Sequence, residues 1–481
     1  MSTLTTVWLD PEPELAAEPE GQPKPKTATV TSGAVKFKTP TASPTAGLRG
    51  EQFYDYAAKC FWIQDSRGAW MQLNCQSMTR HLDRAGFSSG RPRDGGNSPA
   101  DDQLCEIQLE HGVDYAGPLA GFQSGYVEQC GTRILVTNSP VLVKPEKGEW
   151  PVLGKLLENL FLGADGIDQR PFVFGWLKVA ITAFHTGEKR PGQVLCLAGP
   201  AGCGKSMLQN LLTPMLGGRS AKPYRYMSGK TQFNLDLFGA EHLMIEDEVP
   251  SADMRARREF GTRIKELVVN ETQSAHGKHK NALNLSPFWR VSLSTNDEPE
   301  NLMVLPPLDD SMADKVMLLK ANHQPTPMPT GTDEERRKYR ETLLRELPAF
   351  VHFLIHEWSI PAELRSERYG VREFHHPDLT DAIQGLSDET HLLRLVDHTL
   401  LGEDLTTRWK GTSDELERSL RESASGHEAG RLLYWRNAIG TLLGRLAKSQ
   451  PMRVRSYRKN NSGRLWEVVR EGNEFSSTAK E

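Results

Sequence analysis

Apolar positions along the chain recur in two periods, and the period changes several times. Residues 133–144 (RILVTNSPVLVK) are rich in β-formers and are split by Asn138-Ser139-Pro140, which predicts two strands around a turn. Residues 151–184 carry Leu153, Leu156, Leu157, Leu160 and Phe161 at helical spacing, which predicts a helical connector. An apolar run at Val194–Ala198 precedes a glycine-rich turn, and Met207, Leu208, Leu211 and Leu212 then return to helical spacing. An apolar segment running into carboxylates, 242–248, and a mixed segment, 290–296, read as strands, and 333–358 and 390–401 read as helices. Near the end, a helix capped by Thr412 or Ser413, a second helix over Leu433–Leu446 and two strands, Met452–Tyr457 and Arg464–Val469, complete the pattern.

Residues 1–49 break this patterning. They contain seven prolines, acidic residues first (Asp10, Glu12, Glu14, Glu18, Glu20) and lysines later, with few apolar side chains to offset the entropy of ordering. A disordered tail is expected there. From Glu51 the chain turns globular and aromatic, with a polar loop expected over Ser88–Asp101. The 481 residues suffice for several folded units, and no run is long and apolar enough to span a bilayer. The six cysteines form no CxxC or Cys/His cluster, and no basic-then-apolar leader opens the chain, so a reduced, cytoplasmic protein without structural zinc is expected. Lys and Arg (58) nearly balance Asp and Glu (62), for a net charge of -4, so any basic surface must be local.

The chemistry concentrates in the middle. Gly199-Pro200-Ala201-Gly202-Cys203-Gly204-Lys205-Ser206 is a complete GxxxxGK[ST] loop between a strand and a helix. Its glycines let backbone N–H groups wrap phosphates at the positive end of the helix. Lys205 is expected to neutralise the β- and γ-phosphates of ATP and Ser206 to ligate Mg²⁺. His242–Glu248 is an apolar strand running into Glu246, Asp247 and Glu248. Asp247 is expected in the Mg²⁺ shell and Glu248 to orient the attacking water, with Glu246 open to either role if the register differs by one. A third strand ends at Asn296, placed to sense the γ-phosphate. Between the acidic and Asn strands, Lys278, His279 and Lys280 surround a turn at Gly277, a composition suited to phosphate contacts that read no sequence.

This combination resembles the superfamily 3 helicases, the compact AAA+ replicative motors of small DNA viruses, poxviruses, phages and mobile elements. The phosphate loop, acidic strand and Asn strand fall within 98 residues, Gly199 to Asn296. The resemblance extends over about residues 51–470 to the helicase part of poxvirus- and phage-type primase-helicases, without a primase module. It implies an α/β P-loop AAA+ core with an N-terminal α+β and helical domain and a C-terminal winged-helix domain. The corresponding boundaries are a tail at 1–49, a collar domain at 50–185, the ATPase core at 186–325, a helical lid at 326–402 and a winged helix at 403–475.

It further implies an ATP- and Mg²⁺-dependent helicase, forming a homo-hexameric ring and moving 3′ to 5′ on single-stranded or forked DNA. Lys278 and His279 match the tip of the family's channel hairpin, and priming or synthesis would fall to a separate primase or polymerase. The finger that acts across the subunit boundary corresponds to Lys315, where the family usually has arginine; Arg255, Arg257, Arg258 and Arg263 remain alternatives. Between Lys448 and Arg464 there are six basic and no acidic residues, and Arg453, Arg455, Arg458 and Lys459 are expected DNA contacts on the wing. An ATP-switched initiator that remodels DNA without processive unwinding is the alternative reading.

Overall fold

The computed structural model describes residues 51–470, apart from 94, 247–253, 279–280, 307, 386–387, 402–407 and 461–462. The chain begins with β1 (Gln52–Asp55), β2 (Cys60–Gln64), β3 (Trp70–Leu73), α1 (Cys75–Arg84), α2 (Pro99–Glu110) and β4 (Gly112–Val113), whose strands form one sheet in the order β3-β2-β1-β4. A second small sheet, β5 (Tyr115–Gly117), β6 (Gly125–Gln129) and β7 (Thr132–Val136), has the order β5-β7-β6. Then come α3 (Pro151–Phe161), α4 (Arg170–Thr186), β8 (Val194–Ala198), α5 (Lys205–Met215), β9 (Ser220–Ala221), α6 (Tyr224–Met227) and β10 (His242–Glu246). The middle closes with α7 (Met254–Val269), the hairpin β11 (Gln273–Ala275) and β12 (Leu283–Leu285), β13 (Arg290–Thr295), α8 (Pro299–Leu302) and β14 (Val316–Lys320). Helices α9 (Asp333–His352), α10 (Pro377–Gly385) and α11 (Asp388–Leu400) lead to β15 (Arg408–Thr412), α12 (Ser413–Arg421), α13 (Gly426–Leu432), α14 (Ala438–Ser449), β16 (Val454–Asn460) and β17 (Gly463–Val469).

The centre is a five-stranded parallel sheet in the order β14-β8-β13-β10-β9. Its inner strands β8, β13 and β10 are buried along nearly their whole length, as expected of a parallel sheet covered on both faces. Alternate residues serve opposite layers. Val194, Cys196, Ala198, Leu243, Ile245, Val291 and Leu293 share a core with α7 and with the small sheet β5-β7-β6. Leu195, Leu197, Met317 and Leu319 face a second core built by α3, α4, α5 and α9. The expected connector helices and α9 of the expected lid therefore cover one face of the central sheet, whereas Leu379 and Ile383 of α10 join the core on the other face and α11 joins the C-terminal core. A separate core unites α11 to α14 with the antiparallel sheet β15-β17-β16.

Several expectations change in the structure. Residues 141–144 form no strand: beyond Pro140 the chain runs extended, Val141 is exposed, and its N–H bonds Gly217 O rather than a neighbouring strand. The 151–184 helix divides into α3 and α4 at Leu162–Gln169, where Gly166 takes a left-handed φ of 77°. The polar loop ends earlier than expected, because Ser98 and Asp101 form a capping box that starts α2 at Pro99. Trp409 to Thr412 form most of a strand, β15, whereas the expected cap holds: Thr412 and Glu415 form the capping box of α12. The helix expected from Leu433 begins at Ala438, behind a left-handed Asn437 (φ 62°), and α13 precedes it.

Candidate functional site

The phosphate loop, the acidic strand and the Asn strand all end at the carboxyl edge of the parallel sheet, where open α/β sheets bind ligands. Strand β8 delivers the phosphate loop and β13 ends beside it; the acidic strand β10 is one strand further out. Gly199 must be glycine: a Cβ there would come within 2.2 Å of Ala321 O on the chain leaving β14. Gly202 (φ 75°) and Gly204 (φ 110°) supply the left-handed bends that turn the loop into α5. Pro200 and Ala201 fill the bend, Cys203 is buried beneath it, and Ser206 is exposed in the first turn of α5.

Lys205 lies over its own loop, 5% exposed. Its ammonium donates to Gly199 O at 2.6 Å, Pro200 O at 2.9 Å and Asn296 Oδ1 at 3.2 Å. The motif lysine and the end of the Asn strand are thus in direct contact. Beneath them, α5 is fastened to β10 and β13 by an uncharged network. Gln209 Nε2 donates to Ile245 O and Ser292 Oγ, Ser292 Oγ pairs with His242 Nε2, and His242 Nδ1 pairs with Thr213 Oγ1. Burial pushes the His242 pKa down to about 3, so its ring stays neutral.

Glu246 pairs with Lys222 Nζ at 2.9 Å. Asp247 and Glu248 lie outside the described residues. Lys315 is buried at the start of β14, the end of the strand opposite the phosphate loop, with Nζ 2.6 Å from Asp314, which Arg368 also contacts at 2.9 Å. Arg263 pairs with Glu259 and Glu266, and Arg257 donates to Leu305 O. The side chains of Arg255 and Arg258 lie outside the described residues.

The β11–β12 hairpin exposes Lys278, while His279 and Lys280 fall outside the described residues. Asn234, 3% exposed, anchors the hairpin: it donates to Ser274 O, accepts from His276 N, and its own N–H reaches His276 O. That anchor presents its neighbour Phe233, half exposed, at an open cleft of about 420 Å³ shared with His276, Gly277 and Lys278. Phe233 escaped the reading of the chain. An aromatic in the polar run Lys230-Thr231-Gln232-Phe233-Asn234 was its one sign.

In the C-terminal unit, Arg453 bonds Asp397 at 2.6 Å and Val469 O at 3.2 Å, so it ties α11 to β17. Arg455 bonds Glu467 at 2.7 Å. Glu467, fully buried on β17, is also contacted by Lys410 at 3.2 Å and by the Tyr457 hydroxyl. Burial alone would raise the Glu467 carboxyl; hydrogen bonds from Tyr457, Arg455 and Lys410 outweigh it and hold the group below its ordinary value. The side chains of Arg458 and Lys459 lie outside the described residues.

A family model described as a family of unknown function, DUF5906, matches residues 197–312, which hold the phosphate loop, acidic strand, hairpin and Asn strand. Among solved structures, the C-terminal region of NrS-1 (its residues 305–718) is similar with a TM-score of 0.52 at 16% identity, covering 87% of this chain and 95% of that one. The core is an α/β P-loop fold. A second structure of that NrS-1 region gives 0.50 at 15% identity, over 87% and 96% of the two chains. SCCmec type IV Cch, described as an active helicase, gives 0.28 at 12%, over 83% and 72%. No curated protein matches the chain. Among the described residues no helix is long and apolar enough to cross a membrane.

Proposed function

We propose that the protein is an ATP- and Mg²⁺-dependent DNA helicase that assembles as a ring, with superfamily 3 chemistry. The observation that carries this reading is the meeting of Lys205 and Asn296 over the phosphate loop at the carboxyl edge of the sheet. The acceptors of the Lys205 ammonium, three oxygens and Cys203 Sγ at 3.9 Å, carry no full charge, and the oxygens of ATP replace such partners at little cost. The left-handed bends at Gly202 and Gly204 fit a loop shaped for backbone contact with phosphate. Ser206 and Asp247 would hold Mg²⁺, which supplies charge neutralisation for the leaving phosphates. Asn296 would hold the attacking water with Glu248. Within this reading the cation from the next subunit is Lys315 or one of the nearby arginines.

The hairpin turns ATP hydrolysis into movement in this proposal. Lys278, His279 and Lys280 would grip the phosphates of single-stranded DNA, and Phe233 would stack a base beside them. The order α11, β15, α12 to α14, β16, β17 supports reading the C-terminal unit as a winged helix. Travel from 3′ to 5′, six subunits and a separate primase or polymerase complete the reading.

Strand displacement on a forked duplex tests it. Lys205→Ala is expected to lose both hydrolysis and unwinding, and Lys278→Ala with His279→Ala to keep basal hydrolysis and lose unwinding. Unwinding at the parental rate in the second variant rejects the hairpin assignment. Hydrolysis without displacement in the parent protein instead favours the ATP-switched initiator.

A further inference from the structure

The corner between α1 and α2 carries cations that the motifs leave unexplained. From residue 80 to 94 the chain holds Arg80, Arg84, Arg91 and Arg93, together with His81, Asp83 and Asp94, the last outside the described residues. All four arginines are exposed, and none makes a hydrogen bond or ion pair among the described residues. Arg80 and Arg84 stand one turn apart on α1, where like charges repel. Asp83, which could offset them, is turned to the loop instead: its Oδ1 accepts from Ser89 N at 2.7 Å and its Oδ2 from Ser89 Oγ at 2.6 Å. That pair fastens the loop to the last turn of α1, and Ala100 N, donating to Ser88 O, fastens it to α2. Arg91 and Arg93 are thereby held at the same corner, stiffened by Pro92, whose carbonyl accepts from Gly95 N.

The other described carboxylates of this corner also take neutral partners. Asp101 closes the capping box with Ser98, and Asp102 accepts from Asn97 Nδ2 at 3.1 Å. The Ser98 hydroxyl and N–H hold the Asp101 carboxyl below its ordinary value, and the charge of Arg91 adds a smaller influence without an ion pair. Carboxylates thus brace the loop while the guanidiniums stay open to solvent. Arginine forks match the oxygens of phosphate groups bidentately, so a group of them without partners fits a polyanion.

We infer that this corner binds the phosphates of duplex DNA. The inference rests on the DNA reading of the protein and adds a second contact to it. Helices α1 and α2 cover one face of the sheet β3-β2-β1-β4 through Met78, Leu82, Leu104 and Ile107, whereas Phe53 and Val113 on the other face meet Leu135 of β7. The small sheet that holds β7 touches the hairpin, where Thr132 Oγ1 donates to Asn284 O and Ser286 N to Gln129 Oε1. Hairpin and arginines therefore lie on opposite sides of the sheet β3-β2-β1-β4. Their chemistry differs as well. Phe233 is half exposed at the hairpin cleft, but no aromatic is exposed at the corner among the described residues: Phe87 packs against the helix core, and Tyr56 bonds Gln108 O near the far end of α2. Unpaired bases stack on aromatic rings, whereas a duplex keeps its bases stacked inside and offers its backbone to cations. A forked substrate presents both, its single strand to the hairpin and its paired arm to the N-terminal arginines.

Fluorescence anisotropy of the full chain with a blunt DNA duplex and with a single strand of the same length, across a salt series, tests this. Arg91→Ala with Arg93→Ala is expected to flatten the slope of log affinity against log salt for the duplex by about 2, and Arg80→Ala with Arg84→Ala likewise. Between about 50 and 200 mM salt, the fold-loss of duplex affinity in either variant is then about tenfold smaller than in the parent. Binding to the single strand and basal ATP hydrolysis are expected to stay as in the parent, because the corner lies across the N-terminal sheet from the hairpin. An unchanged duplex slope in either variant overturns the inference, as does an equal flattening for duplex and single strand. A parent protein that binds the single strand but no duplex also overturns it, and leaves the hairpin reading standing. Binding of neither overturns the DNA reading, and the corner with it.

Discussion

At the phosphate loop Lys205 is held by Gly199 O, Pro200 O and Asn296 Oδ1, all neutral acceptors, whereas in the C-terminal unit Arg453, Arg455 and Lys410 are held by the carboxylates of Asp397 and Glu467. The first region holds a single lysine and the second six basic residues between Lys448 and Arg464. A cation on neutral oxygens can exchange them for phosphate, because charge-assisted bonds are the stronger ones. A cation on a buried carboxylate cannot leave without stranding a charge. The same residue types are thus held exchangeably in one region and spent on the fold in the other, and the partner decides which.

The largest expected effect breaks the first half of the comparison. Lys205→Ala is expected to reduce ATP hydrolysis on the order of 10²–10³-fold, as loss of one preorganised charge-stabilising donor does, while thermal unfolding changes little. A hydrolysis rate within a few-fold of the parent would remove Lys205 from the reaction. The second effect breaks the other half. Glu467→Gln leaves Arg455 and Lys410 without their counter-charge; because both cations are partly exposed, water screens part of the cost, and about 2–3 kcal/mol is expected. Urea unfolding followed by Trp466 fluorescence, with no change in ATP hydrolysis by the folded protein, is the measurement.

Legibility in the sequence follows the same division. The phosphate loop was readable because strand, glycine bends and helix are contiguous. Two of its long-range contacts, that of Gly199 with Ala321 O and that of Lys205 with Asn296, are made by residues the motif already requires. The cap at Thr412 was readable for the same reason, since Glu415 is three residues away. What could not be read depends on partners far along the chain. Val141 to Lys144 have strand composition and no strand beside them, whereas Arg408 to Thr412 have weak strand composition and gain order by pairing with Leu465 to Val469. Arg453 looked free because Asp397 is 56 residues earlier. Lys315 was expected to act across the subunit boundary, and nothing local shows that it is buried at the start of β14. Phe233 shows only as an aromatic in a polar run until Asn234 fastens it to the hairpin.

A third prediction sharpens the contrast by testing the neutrality of the interior beneath the phosphate loop. His242 bridges Thr213 and Ser292 as an uncharged ring, with its pKa pushed down to about 3 by burial. In the unfolded chain an ordinary histidine titrates near 6.5. Between those values the unfolded state binds a proton that the folded state refuses, so stability is full above about pH 6.5 and falls as pH drops toward 3. The loss is about 2 kcal/mol at pH 5 relative to pH 8. Unfolding free energies at the two pH values, compared with those of His242→Gln, measure it. A pH slope as steep in the variant as in the parent assigns the effect to other groups.

The smallest effect separates the two kinds of cation directly. Lys278 is exposed, with no carboxylate partner among the described residues, while Arg453 is spent on Asp397 and Val469 O. Each phosphate neutralised by a protein cation releases a counterion, so the slope of log affinity against log salt counts the cations that touch DNA. Lys278→Ala is expected to flatten that slope for single-stranded DNA by about 1. Arg453→Ala, measured well below its lowered melting temperature, is expected to leave the slope as it is, because its guanidinium is already neutralised within the fold. If instead Arg453→Ala flattens the slope and Lys278→Ala does not, the ion pair with Asp397 opens on binding. The C-terminal cations would then be exchangeable after all, and the contrast between the two regions would lie in the energy needed to free them.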